Sequence, residues 1–292
     1  MTLSRRESKE RQKRLNLGIA RRAKDRNQPP DLIRYQIAFE GFLERVFQDN
    51  SRLWVLKGGA ALLMRNGQGR TTTDIDLARA RGLGSLAEVE AEMREIASRQ
   101  GQGPLTYRVR SANVKNIGRD DYNGPTYEIA VDAMLGAIVF QAFTLDLTEQ
   151  RHTQQPHALV VVEPILGELV EDRFERFPVS ATAIESQLAD KICAMREMHR
   201  SGYSTRYHDL ADIISILQTQ KVVAQGLFDA CWHEAQRRGL KIPERIWVPP
   251  TWEAEFPRKA ETYYGLPEQY RELPTAVAYV SSVLNPVFSG EL

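Results

Sequence analysis

The sequence predicts an α/β protein whose C-terminal part is mainly helical. Short apolar or β-branched runs punctuated by glycine recur up to about residue 163. Two helical stretches are interleaved with the first of them. From about residue 180 apolar residues return at helical spacing instead. The length of 292 residues suits one large domain or two ordinary ones and can bury a full core.

The elements follow in order. Residues 1–30 hold ten Lys/Arg against three acids, a local +7 in a chain of net charge +1. This basic arm reads either as a contact for nucleic-acid phosphates or as a solvated, partly frayed helix. Pro29-Pro30 closes it, and Asp31 is the expected N-cap of a helix over 31–48 carrying Leu32, Tyr35, Phe39, Phe42, Leu43 and Val46. Leu53-Trp54-Val55-Leu56 reads as a strand, Lys57-Gly58-Gly59 as a tight turn, and 60–64 as a short helix. The run Arg70-Thr71-Thr72-Thr73-Asp74-Ile75-Asp76-Leu77 alternates as a strand does. Ser85 and Glu88 form a capping-box pattern ahead of Val89, Met93 and Ile96.

Residues 105–110, 126–133, 137–147 and 158–163 read as further strands, the middle two forming a hairpin through Gly136. Thr182 and Glu185 suggest a second capping box, opening a helix to about His199. Leu210, Ile213, Ile214 and Leu217 mark another helix. The Pro- and aromatic-rich tail predicts short helices and ordered loops. The expected division is a basic arm 1–30, an α/β domain 31–180 and a helical lobe 181–292.

Composition excludes several classes. A charged fraction of 26% with ten Phe, ten Tyr and four Trp is not that of a disordered chain. No apolar run approaches the roughly 20 residues of a membrane helix. The basic start lacks the apolar stretch of a secretory signal. Cys193 and Cys231 sit in no metal-ligand spacing, so neither a disulfide framework nor structural zinc is expected, and a reducing cytoplasm is the default. His152, His157, His199, His208 and His233 likewise show no ligand spacing.

The chemistry concentrates in four places. Asp74 and Asp76, two residues apart on a strand, share one face, where two carboxylates suit Mg²⁺ together with substrate phosphates. The same pair also fits a strand facing water. Gly58 and Gly59 let a backbone approach a phosphate closely, and Thr72 offers a hydroxyl for phosphate beside the acids. Asp146, centred in an apolar strand, is costly unless exposed or bound to a cation. Beside the Asp74 strand it would complete a three-carboxylate site for two-metal phosphoryl or nucleotidyl transfer. Lys191 borders a buried helical stripe and wants an anion, either a triphosphate or a nearby acid such as Glu185 or Asp190. Asp209 opens a helix in Arg206-Tyr207-His208-Asp209, where it pairs with Arg206 at i,i+3 or faces the other acids. A Walker A loop, a GxSxG elbow and the kinase motifs are all missing.

Together, Leu56-Lys57-Gly58-Gly59-Ala60, Arg70 through Leu77, Leu145-Asp146-Leu147, Leu188 through Ala194 and Arg206 through Asp212 resemble the AbiEii family of nucleotidyltransferase-like toxins, which includes the MenT toxins of type IV toxin–antitoxin systems. The resemblance spans about residues 15–218 and stops short of the tail. It implies a polymerase-β-like nucleotidyltransferase core with a mixed sheet, a helical C-terminal lobe, and a site in the groove between them. It further implies metal binding by Asp74 and Asp76, a third acid at Asp146, triphosphate contact by Lys191 and assistance from Asp209. Members with an assigned activity move a nucleotide from NTP to RNA, notably the 3′ end of tRNA, and are neutralised by a separately encoded antitoxin. The expected ligands are therefore Mg²⁺ or Mn²⁺, NTP and RNA. The same chemistry on a small molecule or a protein, a non-catalytic nucleotide- or RNA-binding module, and an NTP-dependent phosphotransferase are the alternatives.

Overall fold

The computed structural model describes residues 5–48, 53–67, 70, 72–80, 82–116, 124–149, 157–170, 174–199 and 202–290. Thr71 and His152 lie outside them. The chain forms two compact units, Met1–Arg65 with Thr72–Ala181, and Asn66–Thr71 with Thr182–Leu292. Among the described residues no helix is long and apolar enough to cross a membrane.

The first unit contains α1 (Arg5–Asp25), α2 (Pro30–Phe47), β1 (Trp54–Lys57), α3 (Gly58–Asn66), β2 (Asp74–Arg79), α4 (Leu86–Ser98), β3 (Leu105–Asn116), β4 (Thr126–Leu135), β5 (Ile138–Glu149), β6 (His157–Val162), α5 (Ile165–Val170) and β7 (Phe177–Thr182). The sheet order is β3-β4-β5-β2-β1-β7-β6. Pairing of β2 with β5 and of β1 with β7 is parallel, while β1–β2, β3–β4 and β4–β5 are antiparallel. The sheet is therefore mixed.

Alternation gives the sheet its two faces. Ile75, Leu77, Ile129, Val131, Leu145 and Leu147 are fully buried on one, where Phe39 and Phe42 of α2 meet Phe143 edge-on at 5.4 and 5.6 Å. Burying such a ring stabilises the fold by roughly 1.5–3 kcal/mol. Asp74, Asp76, Thr144 and Asp146 alternate with these residues and point to the other face. Arg45, buried in α2, donates to the carbonyls of Arg99 and Leu105 at 2.8 and 2.9 Å and lies 4.7 Å over the Tyr107 ring. That fixes α2 against the α4–β3 connection.

The basic arm is an amphipathic helix. Leu15, Ile19 and Ala23 of α1 enter the same core, and α1 packs on α2 and α5. It thus sits on the helical side of the sheet, away from the aspartates. Asp31 is not the N-cap: extended Pro29 holds that place and Pro30 starts the helix, where a missing N–H costs nothing. Ser85 and Glu88 do form the capping box, with Glu88 N–H donating to Ser85 Oγ at 3.3 Å and Ser85 N–H to Glu88 Oε2 at 2.7 Å. Gly136, at φ +60°, leads the two-residue turn between β4 and β5, a position open to glycine.

The second unit contains α6 (Ile184–Met195), a small hairpin of β8 (Met198–His199) and β9 (Gly202–Tyr203), α7 (Tyr207–Thr219), α8 (Ala224–Arg237), α9 (Trp252–Ala260) and α10 (Leu273–Ser289). Thr182 and Glu185 form no capping box. Ala183 is the N-cap, without a side-chain bond, and Glu185 instead accepts from Val223 N–H at 3.0 Å, holding the start of α8. α6 stops at Met195, because the chain turns there into the β8–β9 hairpin. The tail carries longer helices than expected. In α10, Leu273, Ala276, Val280, Leu284 and Val287 make a buried stripe over 17 residues. Trp252 is fully buried and donates its indole N–H to Ser204 O at 2.7 Å.

Candidate active site

In the first unit the sheet register places Asp76 directly opposite Asp146 and Asp74 opposite Thr144. One carboxylate oxygen from each of Asp74, Asp76 and Asp146 lies within 4.8 Å of the others. The neighbours arrange these acids. Thr72, only 3% exposed, donates its hydroxyl to Asp74 Oδ1 at 2.8 Å. Its oxygen is thus engaged with the carboxylate that the sequence placed beside it. Gly58 starts α3 at φ +62°, and a Cβ there would stand 1.9 Å from Asp76 Oδ2. Glycine is needed twice over, for the left-handed backbone and for room beside the carboxylate. Gly59 follows in the first turn of the same helix. Lys57, in register with Asp76, donates to Thr148 Oγ1 at 3.3 Å.

Lys115 carried no signal in the sequence. Its ammonium lies 2.5 Å from Asp146 Oδ2 and 3.7 Å from Glu128 Oε2. The hydrogen bond to Asp146 raises its pKa, with Asp146, Glu128 and Asp74 adding charge attraction against the cost of burial. The other oxygen, Asp146 Oδ1, is buried and accepts no hydrogen bond from the described residues. A buried carboxylate oxygen without a donor is costly unless a cation serves it. Three converging carboxylates, one with an orphaned oxygen, fit a hard divalent cation of the Mg²⁺ type.

In the second unit Lys191, 4% exposed, donates to Asp209 Oδ1 at 2.9 Å and to Asp212 Oδ2 at 2.6 Å. Burial opposes the charge, but the two carboxylates outweigh it and raise the lysine pKa. Burial also works against the Asp209 carboxylate, yet Lys191 and Arg206 hold its pKa well below the usual range. Arg206 Nε donates to Asp209 Oδ2 at 2.5 Å, which realises the i,i+3 pair. Arg70 Nε donates to Asp212 Oδ2 at 3.3 Å. His208 Nε2 is 3.5 Å from Asp209 Oδ1, and burial lowers its pKa. The acids considered as partners for Lys191 are engaged elsewhere, Asp190 with Arg238 at 2.6 Å and Glu185 with Val223 N–H. Asp212 was the overlooked member. Its signal was the i,i+3 spacing from Asp209 on one helix.

The profile described as nucleotidyl transferase AbiEii toxin of type IV toxin–antitoxin systems matches residues 41–276. The chain belongs to the AbiEii family. Membership makes it a nucleotidyltransferase of the toxin–antitoxin class. In fold, this AbiEii chain is similar to MenT4, a nucleotidyltransferase toxin of Mycobacterium tuberculosis H37Rv. The identity is 17%, the TM-score 0.54, and the match covers 93% of this chain and 87% of MenT4. It is also similar to JHP933 from Helicobacter pylori, at 14% identity and TM-score 0.50, over 90% of this chain and 95% of JHP933. A search of curated proteins finds no match. The α/β nucleotidyltransferase core with a mixed sheet, which the resemblance implied, agrees with these likenesses.

Proposed function

We propose that the chain is a divalent-metal-dependent enzyme that moves a nucleotide from NTP onto RNA, with the 3′ acceptor end of tRNA as substrate, in the cytoplasm. The observation that carries this reading is the register-matched trio Asp74, Asp76 and Asp146 with an orphaned oxygen on Asp146. Asp74, Asp76 and Asp146 would hold Mg²⁺ or Mn²⁺, which when bound offsets charge on the phosphates and on the attacking oxygen. The acceptor hydroxyl oxygen bonds to the α-phosphorus, the bond to the bridging oxygen breaks, and pyrophosphate leaves. The hydroxyl proton passes to a carboxylate oxygen of Asp146.

The surrounding residues have separate tasks in this reading. Gly58 and Gly59 keep Cβ atoms away from the phosphates. Thr72 orients Asp74. Lys191 with Asp209 and Asp212 forms a buried cluster that carries Arg206 and Arg70 toward solvent. Three cations against two carboxylates give this cluster a net +1. Lys191 then contributes charge to triphosphate binding from behind those guanidinium groups. A separately encoded antitoxin is the expected protein partner, in line with the family.

The test is incubation of the full chain with labelled NTPs, total RNA and Mg²⁺. Label on RNA from wild type, lost in Asp76→Asn and on chelation, is the expected result. Label found on metabolites or protein, or on nothing, would overturn the RNA reading.

A further inference from the structure

The aspartate face of the sheet continues beyond the acids toward β3. Asp132 on β4 is four residues from Glu128, and Glu128 is paired with Asp146, so all three point the same way. Two arginines from β3 meet at Asp132. Arg108 donates to its Oδ2 at 2.8 Å, and Arg110 Nε lies 2.9 Å from its Oδ1. The carboxylate is 4% exposed while the two guanidinium-bearing side chains are 60% and 49% exposed. Arg110 follows Arg108 by two residues and so shares its face, and it stands without a strand partner at the bulge between Val109 and Ser111. One buried acid thus holds two exposed cations side by side, with net charge +1.

Four residues at ~3.4 Å and one strand spacing of ~4.8 Å put Asp132 about 14 Å from Asp146. Between them β4 and β5 present Ala130, Ala142 and Thr144, partly exposed and short. This is a low, uncharged floor from the acids to the arginine pair. An NTP's three phosphates do not span that distance. A stacked single strand covers it in about four nucleotides at ~3.4 Å each.

We propose that Arg108 and Arg110 grip the phosphodiester backbone of a single-stranded RNA acceptor about four nucleotides from its reacting end. The proposal rests on the reading of Asp74, Asp76 and Asp146 as an RNA-directed nucleotidyltransferase site. It places the acceptor strand along β4 and β5, across the sheet from helix α1. The basic residues of α1 are on the helical side and do not line this track.

The experiment measures binding of a short fluorescein-labelled single-stranded RNA to the full chain by anisotropy across a salt series. In parallel, KM for RNA and for NTP are taken from the labelling assay, and Mn²⁺ binding is followed by EPR. In Arg108→Gln/Arg110→Gln, RNA affinity is expected to fall about tenfold or more. The log–log salt slope becomes about 1.4 shallower, ~0.7 per lost contact. KM for RNA rises, while KM for NTP and Mn²⁺ binding stay at wild-type values. Because the double variant strands Asp132, a triple variant adding Asp132→Asn must give the same result. Arg108→Lys/Arg110→Lys keeps the slope.

If wild type labels RNA but the variants match it in affinity, slope and KM, the proposal alone falls. If wild type neither binds nor labels RNA, the functional reading falls with it. If the variants lose a protein partner and keep RNA, the arginine pair belongs to that partner and the proposal is overturned.

Discussion

Lys115 Nζ binds Asp146 Oδ2 at 2.5 Å, while Oδ1 of the same carboxylate is buried and has no donor among the described residues. A protein cation therefore already serves one side of the acid trio, and the other side is left for an ion from solution. Removing the ammonium takes away a like charge that any divalent ion must approach. At a site this exposed the repulsion is about 1 kcal/mol. Lys115→Met should thus bind Mn²⁺ about fivefold more tightly, read by EPR titration. Unchanged or weaker binding would show that Lys115 orients Asp146 more than it competes.

Gly58 sets the clearance of Asp76. In Gly58→Ala the new methyl must occupy the place of Asp76 Oδ2, and the backbone must keep φ near +62°. The left-handed backbone costs roughly 1–2 kcal/mol. The displaced carboxylate should cost Mn²⁺ affinity about tenfold or more. Calorimetry and EPR on the same sample separate the two effects. An alanine variant that binds Mn²⁺ as wild type does would show that Asp76 needs no such gap.

Lys191 is predicted to matter for folding as well as for activity. Lys191→Met removes the buried cation between Asp209 and Asp212 and leaves them only Arg206 and Arg70, and losing one partner of a buried ion cluster destabilises by about 3–5 kcal/mol. Urea titration followed by tryptophan fluorescence should show this as a lower midpoint. Adding Asp209→Asn and Asp212→Asn should restore much of the midpoint without restoring nucleotide transfer. Stability equal to wild type in the single variant would remove the buried-pair argument.

Acid should weaken the second unit in two stages. Burial holds the His208 imidazole below its usual pKa despite Asp209, so the unfolded chain takes up the proton first and stability drops as pH falls below about 6.5. Asp209 is likewise depressed, but by its partners Lys191 and Arg206 acting against burial. Its contribution is complete above about pH 4 and is lost as pH falls through the folded value. Urea midpoints at about pH 8, 5.5 and 3 should step downward, and His208→Gln should shrink the upper step, to which His157, likewise lowered by burial, also contributes, and leave the lower one. A midpoint independent of pH in that range would contradict both assignments.

Much of the first unit was legible because its signals are local. Alternation in Asp74-Ile75-Asp76-Leu77 has one structural solution when one face is buried, and Ser85 with Glu88 satisfies helix donors within four residues. Thr182 and Glu185 carry the same pattern, yet Glu185 found a better-placed donor in Val223 N–H, 38 residues away. Short-range spacing does not reveal such competition. Strand β7 went unread because Phe177–Thr182 alternates only weakly and pairs in parallel with distant β1. Proline at 257 and 286 hid α9 and α10, since tertiary burial outweighs the local penalty there. At the site, residue types singled out Asp74, Asp76 and Asp146, and the strand register brings their carboxylates together. Lys115 and the Arg108–Arg110 pair emerged only with the strand register, because a lone basic residue on an exposed strand looks the same whether or not an acid lies opposite.

The side-by-side placement of Asp76 and Asp146 joins positions 70 residues apart in the chain. A ribosome adding 5–20 residues per second needs about 4–14 s to travel from one to the other. Throughout that interval the growing polypeptide carries only part of the acid set. With the acid trio acting as proposed, a newly made copy gains its complete acid set only once the fifth strand is delivered and zipped alongside the second.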